Sequence, residues 1–351
     1  MNKKRILFVY FHDLNSGNGG AKRAFQNLQG CLHCGCTDTW QTCGFMPSEA
    51  VADFVPNIKK CLFISPFECA KLAELINRRH YDIVFFDTSL YGEAVKYLRE
   101  HCPQMKAVVH CHNFEKKYYE DQEKNGGSNP DSRFASECEA AALQAADRII
   151  YISQNDLEEI SECYGISSDR GILIPPALAD GYQPCSCCET KEPYVLFFGS
   201  AFYANIEAAR FLIREVAPHT EKKIVIAGSG MDCLAAEAAA NTEILGYVPF
   251  PAKLMNGACA FVSPVFSGSG AKVKTAEALM YGKYLIATEE SLIGYNHTGM
   301  KFSVCRTAEE FARAINDADP SRTFYDENRE IFERDHSLQP QKKRYAFLEE
   351  M

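Results

Sequence analysis

Positive charge is in short supply in this sequence. Its 37 lysines and arginines stand against 46 aspartates and glutamates, a formal net charge of −9. The deficit is even, with 19 basic against 23 acidic residues in 1–175 and 18 against 23 in 176–351. Neither half is therefore a basic module for nucleic acid. No apolar run reaches the roughly 18 residues that a membrane-spanning helix needs. The opening MNKKRILFVYFHDLNSG has a short apolar run and no small-residue cleavage site, which predicts a first strand and an intracellular chain. Paired metal ligands are lacking too. Cys31, Cys34 and Cys36 form one cluster and Cys185, Cys187 and Cys188 another, yet neither supplies two short-spaced pairs for zinc. No Asp-x-Asp motif stands near a strand end, so no metal is expected, and the remaining cysteines read as small hydrophobes.

What is present is a rhythm. Strand-like runs at Arg5–Phe11, Thr39–Phe45, Cys61–Ile64, Asp82–Asp87, Ala107–Cys111, Arg148–Ile152 and Gly171–Ile174 alternate with helical patterns. The helical patterns are Ala21–Cys31, Phe67–Arg79, Tyr91–His101, Arg133–Ala146 and Gln154–Tyr164. The rhythm restarts with Tyr194–Phe198, Lys223–Ala227, Glu243–Val248, Ala258–Pro264, Tyr284–Thr288 and Lys301–Val304. Strands apolar on both faces and separated by helices predict two doubly wound parallel-sheet domains of the α/β class, facing across a cleft. The expected boundaries are 1–176, a linker over 177–193, a second domain over 194–335, and a helix over 336–351 that crosses back to the first domain. Its apolar Tyr345, Phe347 and Leu348 need a surface. The polar stretch 120–133 reads as a loop. Glu137 and Glu139 read as a solvated helix face, and Asp82 and Asp87 as turn residues.

The stretch FSGSGAKVKTAEALMYGKYLIAT, residues 266–288, is the most informative. Flexible small residues run into a helix expected over Ala271–Tyr281, with Lys272 and Lys274 at its start. A helix N-terminus carries partial positive charge, so two lysines there oppose it by about 0.3–1 kcal/mol each. A bound anion reverses that sign, and glycines before a cation-bearing helix start suit phosphate. Small-residue turns also follow other strands, at Gly19-Gly20, Gly199-Ser200 and Gly228-Ser229-Gly230.

With these segments in order, the sequence resembles the retaining glycosyltransferases of the GT-B fold, and within them glycosyltransferase family 4. NGGAKRAFQNL is similar to the family's first-loop glycine pair, HNFEKKYY to its His-Asn-x-Glu segment, and AADRIIYISQNDLEEISECYG to the end of its first domain. VLFFGSAFYANIEAARFL resembles the second-domain opening, IVIAGSG the next strand, and SGSGAKVKTAEALMYGKYLIAT the donor-binding signature. The resemblance implies transfer of a sugar from a nucleotide-diphosphate donor to a glycan or lipid-linked hydroxyl, in the synthesis of a cell-surface polysaccharide or glycoconjugate. It implies no cofactor and no metal. Glu277 matches the glutamate that holds the ribose hydroxyls, and Lys274 and Lys272 match cations beside the diphosphate. Ser267, Gly268, Ser269, Gly270 and Ala271 are expected to offer backbone N–H groups to the phosphates, with Gly19, Gly20 and Gly228 near them. Val248 falls where the family's backbone meets the base, and His112 matches the histidine near the donor sugar.

Two departures stand out. Gly270 occupies the place of the family's first glutamate, and Ser200 and Asn205 stand where an arginine and a lysine are common. Phosphate binding is then expected to lean on Lys272 and Lys274, both as binding groups and, for Lys274 with His112, in catalysis. No unambiguous enzyme nucleophile is present, which suits a front-face route. The alternatives are a nucleotide-sugar epimerase of the same fold, or a non-catalytic glycan-binding or partner subunit. A nicotinamide dehydrogenase is disfavoured because no G-x-G-x-x-G directly follows the first strand. The expected location is the cytoplasm. The pairs Lys59-Lys60 and Lys116-Lys117 would support only weak peripheral contact with the inner face of a membrane.

Overall fold

Apolar residues on both faces of short strands demand cover on both sides, and two parallel sheets flanked by helices supply it. The structure, a computed structural model, describes residues 3–16, 18–42, 58–124, 131–184, 192–267 and 271–351. It divides into two units, Met1–Ala177 with Leu338–Met351, and Leu178–Ser337.

The first unit runs β1 (Lys4–Tyr10), α1 (Gly19–Cys34), β2 (Gly35–Gln41), α2 (Pro66–Arg79), β3 (Ile83–Phe86), α3 (Glu93–His101), β4 (Lys106–His110), α4 (Glu115–Lys124), α5 (Ser132–Ala145), β5 (Arg148–Tyr151), α6 (Gln154–Tyr164) and β6 (Gly171–Leu173). Its strands are all parallel, in the order β2-β1-β3-β4-β5-β6. Alternate residues of one strand serve opposite cores. Leu7 and Val9 of β1 pack with the side bearing α2 and α3, whereas Ile6 and Phe8 pack with the side bearing α1. Local signals start the helices where the sheet needs them. Ser65 and Glu68 form a reciprocal capping box at α2, and Pro66 sets its first turn.

The second unit runs β7 (Tyr194–Phe198), α7 (Tyr203–Phe211), β8 (Lys223–Ala227), β9 (Thr242–Leu245), α8 (Pro251–Gly257), β10 (Ala260–Ser263), α9 (Val273–Met280), β11 (Tyr284–Ala287), α10 (Glu289–Leu292), β12 (Phe302–Val304), α11 (Ala308–Asp317) and α12 (Asp326–Ile331). Its sheet, again all parallel, has the order β12-β11-β10-β7-β8-β9. The last segment returns to the first unit as two short helices, α13 (Leu338–Gln341) and α14 (Phe347–Glu350), joined by a 3-10 turn. Tyr345 and Leu348 are fully buried there, against the Ile6, Phe8 and Phe85 side of the sheet. Burying each is worth about 1.5–3 kcal/mol.

Several local readings change. Cys61–Ile64 is a buried turn and not a strand, because Phe63 takes a left-handed φ of 60° and Ser65 at once caps α2. β2 starts four residues earlier than its pattern suggested, directly after α1. Residues 43–45 of that expected strand lie outside the described residues, as do Cys185, Cys187 and Cys188. Within the loop expected at 120–133, residues 120–124 belong to α4 and 132–133 to α5, and residues 125–130 lie outside the described residues. Cys31 and Cys34 are buried on α1, while Cys36 is exposed on β2. Among the described residues, no helix is long and apolar enough to cross a membrane.

Candidate active site

In an open parallel sheet, ligands bind beyond the carboxyl ends of the strands at the point where the strand order reverses. In the second unit that point lies between β7 and β10. Gly199 and Ser200 follow β7, and the stretch leading to Lys272 and Lys274 follows β10. Lys272 occupies the N-cap position of α9 and offers no side-chain cap. The Tyr295 hydroxyl does the capping instead, accepting from Ala276 N at 3.1 Å and donating to Lys272 O at 2.7 Å. Thr275 Oγ1 donates to Ser291 O at 2.7 Å and ties the first turn to α10. Arg329 Nη1 donates to Met280 O at 2.8 Å and closes the far end.

The two lysines have different surroundings. Lys272 forms an ion pair with Glu290, Nζ to Oε1 at 2.7 Å, with only 12% of its side chain exposed. Lys274 donates instead to the neutral side-chain oxygen of Asn205, and its ammonium sits 5.1 Å from the centre of the Phe197 ring. Lost hydration and then repulsion from Lys272 push Lys274 down to about 7, against the pull of Glu277 one turn along α9. Asn205 is itself aimed by donating to Ser200 O at 2.8 Å.

Other expected donor-site residues are placed as follows. Ser267 Oγ donates to Glu207 Oε2 at 2.9 Å. Gly268, Ser269 and Gly270 lie outside the described residues, and Ala271 is buried. Gly228 has a φ of +140°, and a Cβ there would stand 2.1 Å from Gly199 O. Glycine at 228 is thus required for the turns after β7 and β8 to meet. Val248 follows β9 at the sheet's edge, in a loop with Tyr247 75% and Phe250 83% exposed.

The switch point of the first unit lies between β1 and β3. Gly19 and Gly20 open α1, whose start is capped by Asn18 accepting from Ala21 N at 2.8 Å. A Cβ on Gly20 would stand 2.3 Å from the His12 ring, so glycine makes room for that imidazole. Beyond β1, β3 and β4, His12, Asp87 and His112 converge, with candidate ligand atoms within 4.8 Å of one another. His112 Nε2 lies 3.2 Å from Asp87 Oδ2. Burial and the neighbouring His112 push His12 down to about 4. Burial also holds His110 well below its ordinary value.

The sequence had pointed to His112 and passed over its neighbours. Asp87 is no exposed turn residue; it is fully buried and accepts from Asn27 Nδ2 at 2.7 Å. Asp82 lies in the bend just before β3 and accepts from Arg5 N of the neighbouring β1 at 2.8 Å. Glu139 is also fully buried, because α5 packs beneath the start of α4. It accepts from Glu115 N, Lys116 N, Ser89 Oγ and Tyr164 OH. Desolvation lifts it to about 7 despite these donors. Glu137 does face solvent, paired with Lys60 at 3.4 Å. The one sequence signal for the missed groups was position: His12 and Asp87 each stand just past a strand's carboxyl end.

Two family models match the chain, Glycosyltransferase Family 4 over residues 46–179 and Glycosyl transferases group 1 over residues 192–318, together most of its length. No curated protein matches. Among solved structures, a glycosyltransferase from Rickettsia africae aligns with a TM-score of 0.71 at 15% identity, over 100% of this chain and 98% of the other. Anabaena Alr3699/HepE in complex with UDP and glucose aligns with a TM-score of 0.66 at 14% identity, over 99% and 100%. The apo form of the lipopolysaccharide outer core galactosyltransferase WaaB aligns equally well, at 0.66, 14%, 99% and 100%. At such identities these likenesses bear on the fold, which is GT-B.

Proposed function

Since the chain belongs to the glycosyltransferases of group 1 and family 4, we propose that it moves a sugar from a nucleotide-diphosphate donor to a glycan or lipid-linked hydroxyl with retention of configuration. The observation that carries this reading is Lys274. A half-buried ammonium stands in the first turn of α9 at the sheet's switch point, hydrogen-bonded to a neutral amide oxygen. Lysine charge at a helix start is unfavourable until an anion arrives. The leaving diphosphate is that anion, and its growing charge in the transition state is met by Lys274 and by the first-turn N–H groups. Lys272 adds a weaker field, since Glu290 already neutralises it.

In this reading Glu277 accepts from the ribose diol, Val248 lies along the base, and His112 hydrogen-bonds the donor sugar. Diphosphate charge is met by the protein's own cations and not by a metal ion. With no enzyme nucleophile assigned, the departing phosphate oxygen takes the acceptor's proton on the same face of the sugar. A uridine donor is favoured because the Anabaena relative was solved with UDP and with UDP-glucose. The activity belongs in synthesis of a cell-surface polysaccharide or glycoconjugate, in the cytoplasm or at the inner face of its membrane.

The test is calorimetric titration with UDP, GDP and ADP, followed by turnover assays with donor alone and with donor plus glycan acceptors. UDP binding and acceptor-dependent UDP release are expected. Conversion of the donor to an isomeric nucleotide sugar without acceptor would make the protein an epimerase, and no nucleotide-diphosphate binding would overturn the reading.

A further inference from the structure

His112 is held by more than a neighbouring carboxylate. Asp87 Oδ2 faces His112 Nε2 at 3.2 Å, and Asp87 Oδ1 accepts from Asn27 Nδ2 at 2.7 Å. Asn27 Oδ1 in turn accepts from the Tyr345 hydroxyl at 2.5 Å. Tyr345, Asn27 and Asp87 are all fully buried. The four groups come from the chain's last segment, from α1, and from the ends of β3 and β4. Each bond has only one sensible direction. A carboxylate accepts only, so Asn27 must turn its amide nitrogen to Asp87 and its oxygen to Tyr345. By the same rule His112 must carry its proton on Nε2, which leaves Nδ1 as the acceptor in the neutral ring.

We propose that Tyr345, Asn27 and Asp87 form a relay of positioning residues that fixes the tautomer and orientation of His112. The chain's final segment is thereby part of the catalytic apparatus and not only cover for the sheet. The kinetic half of the proposal rests on the reading that His112 meets the donor sugar; the tautomer half does not. His110 lies outside the relay. Its Nε2 faces the guanidinium of Arg23 at 3.0 Å and so accepts, while its Nδ1 stands 4.0 Å from Asp87 Oδ1.

The relay predicts a specific pattern of loss and rescue. In Asp87→Asn, the new amide cannot accept from both neighbours. Either its nitrogen faces His112 and drives the proton to Nδ1, or Asn27 turns over and leaves the buried Tyr345 hydroxyl without its acceptor. The first outcome is expected, because an unmade buried hydrogen bond is costly. The double variant Asn27→Asp with Asp87→Asn remakes all three bonds: the outer two, from Tyr345 and from His112 Nε2, keep their direction, and only the middle one reverses, from the amide nitrogen at 87 to the carboxylate at 27.

The experiment measures the His112 tautomer by nitrogen-15 NMR, along with kcat, KM and melting temperature, in Asp87→Asn and in the double variant. Asp87→Asn is expected to switch the tautomer and lower kcat about 100-fold, with a smaller effect on KM, as loss of one oriented hydrogen-bonding group does. The double variant is expected to recover the Nε2–H form and most of the lost turnover. Tyr345→Phe, which removes one hydroxyl without disturbing the ring packed on Gly30, should lower kcat by a smaller factor. An unchanged tautomer in Asp87→Asn, or a double variant no better than the single, overturns the relay. A switched and rescued tautomer with constant kcat keeps the relay and removes His112 from the reaction.

Discussion

Replacing Lys274 by methionine keeps an unbranched stem only one atom shorter and removes the charge. A phosphate oxygen about 4 Å from the ammonium, at the effective dielectric of about 20 that suits partly buried sites, is worth up to about 4 kcal/mol. With the group pushed down to about 7, half the ligand-free molecules are uncharged at neutral pH. Charging them subtracts only about 0.4 kcal/mol. The net loss in Lys274→Met is then about 2–4 kcal/mol, or about 30- to 1,000-fold in kcat/KM. Diphosphate binding raises the pKa of this lysine again, so the complex takes up a proton above pH 7. Affinity for UDP should therefore weaken by up to about tenfold per pH unit between pH 7 and 9.

For the ligand-free fold the sign is opposite. The folded-state value lies below the unfolded 10.5, so the unfolded chain holds more protons between the two values. Stability linked to Lys274 is present above about pH 10.5 and is lost as the pH falls toward 7. Lys274→Met lacks that slope and should melt no lower than the parent at pH 7. Calorimetry with UDP at pH 8 in two buffers of different ionisation enthalpy reads the proton uptake directly. Equal binding enthalpies in the two buffers, or full affinity in the variant, would refute the placement of this ammonium on the diphosphate.

Three further outcomes are expected. Glu277→Gln should weaken binding of the donor and of free UDP by about 1.5–3 kcal/mol without lowering the melting temperature, as loss of charge-assisted bonds to a diol does; unchanged UDP affinity by calorimetry would return Glu277 to a solvated face. Activity should survive EDTA, and elemental analysis should find no stoichiometric zinc; an ion at His12, Asp87 and His112, the described group that could take one, would contradict this. Glu139→Ala should destabilise the chain by about 2–4 kcal/mol in urea unfolding, since it strands two N–H groups at the start of α4 and the hydroxyls of Ser89 and Tyr164. Because the folded value near 7 exceeds the usual 4.5, stability linked to Glu139 is full below about pH 4.5 and lost as the pH rises through 7. Glu139→Ala should flatten that slope.

The sequence by itself determined the architecture and the unusual charge of the turn that leads into α9. Strand and helix periods are properties of consecutive residues, so Ile83–Phe86 and Gln154–Tyr164 could be read without knowing their neighbours. A lysine in a helix's first turn is equally local, because the helix dipole that makes it unusual is built from the same few residues. Tertiary structure alone decided which charges were already spent. Lys272 and Lys274 look alike in sequence, yet Glu290 eighteen positions on neutralises the first, while Asn205 holds the second from 69 positions away. Asp87 and Glu139 likewise have the composition of turn and surface residues. Partners 60 and 25 positions distant, Asn27 and Tyr164, turned them into buried hydrogen-bond centres. The tie from Tyr345 to Asn27 spans 318 positions. A carboxylate's role depends on what desolvates it and what donates to it, and both are supplied by elements that meet only when the sheet is assembled.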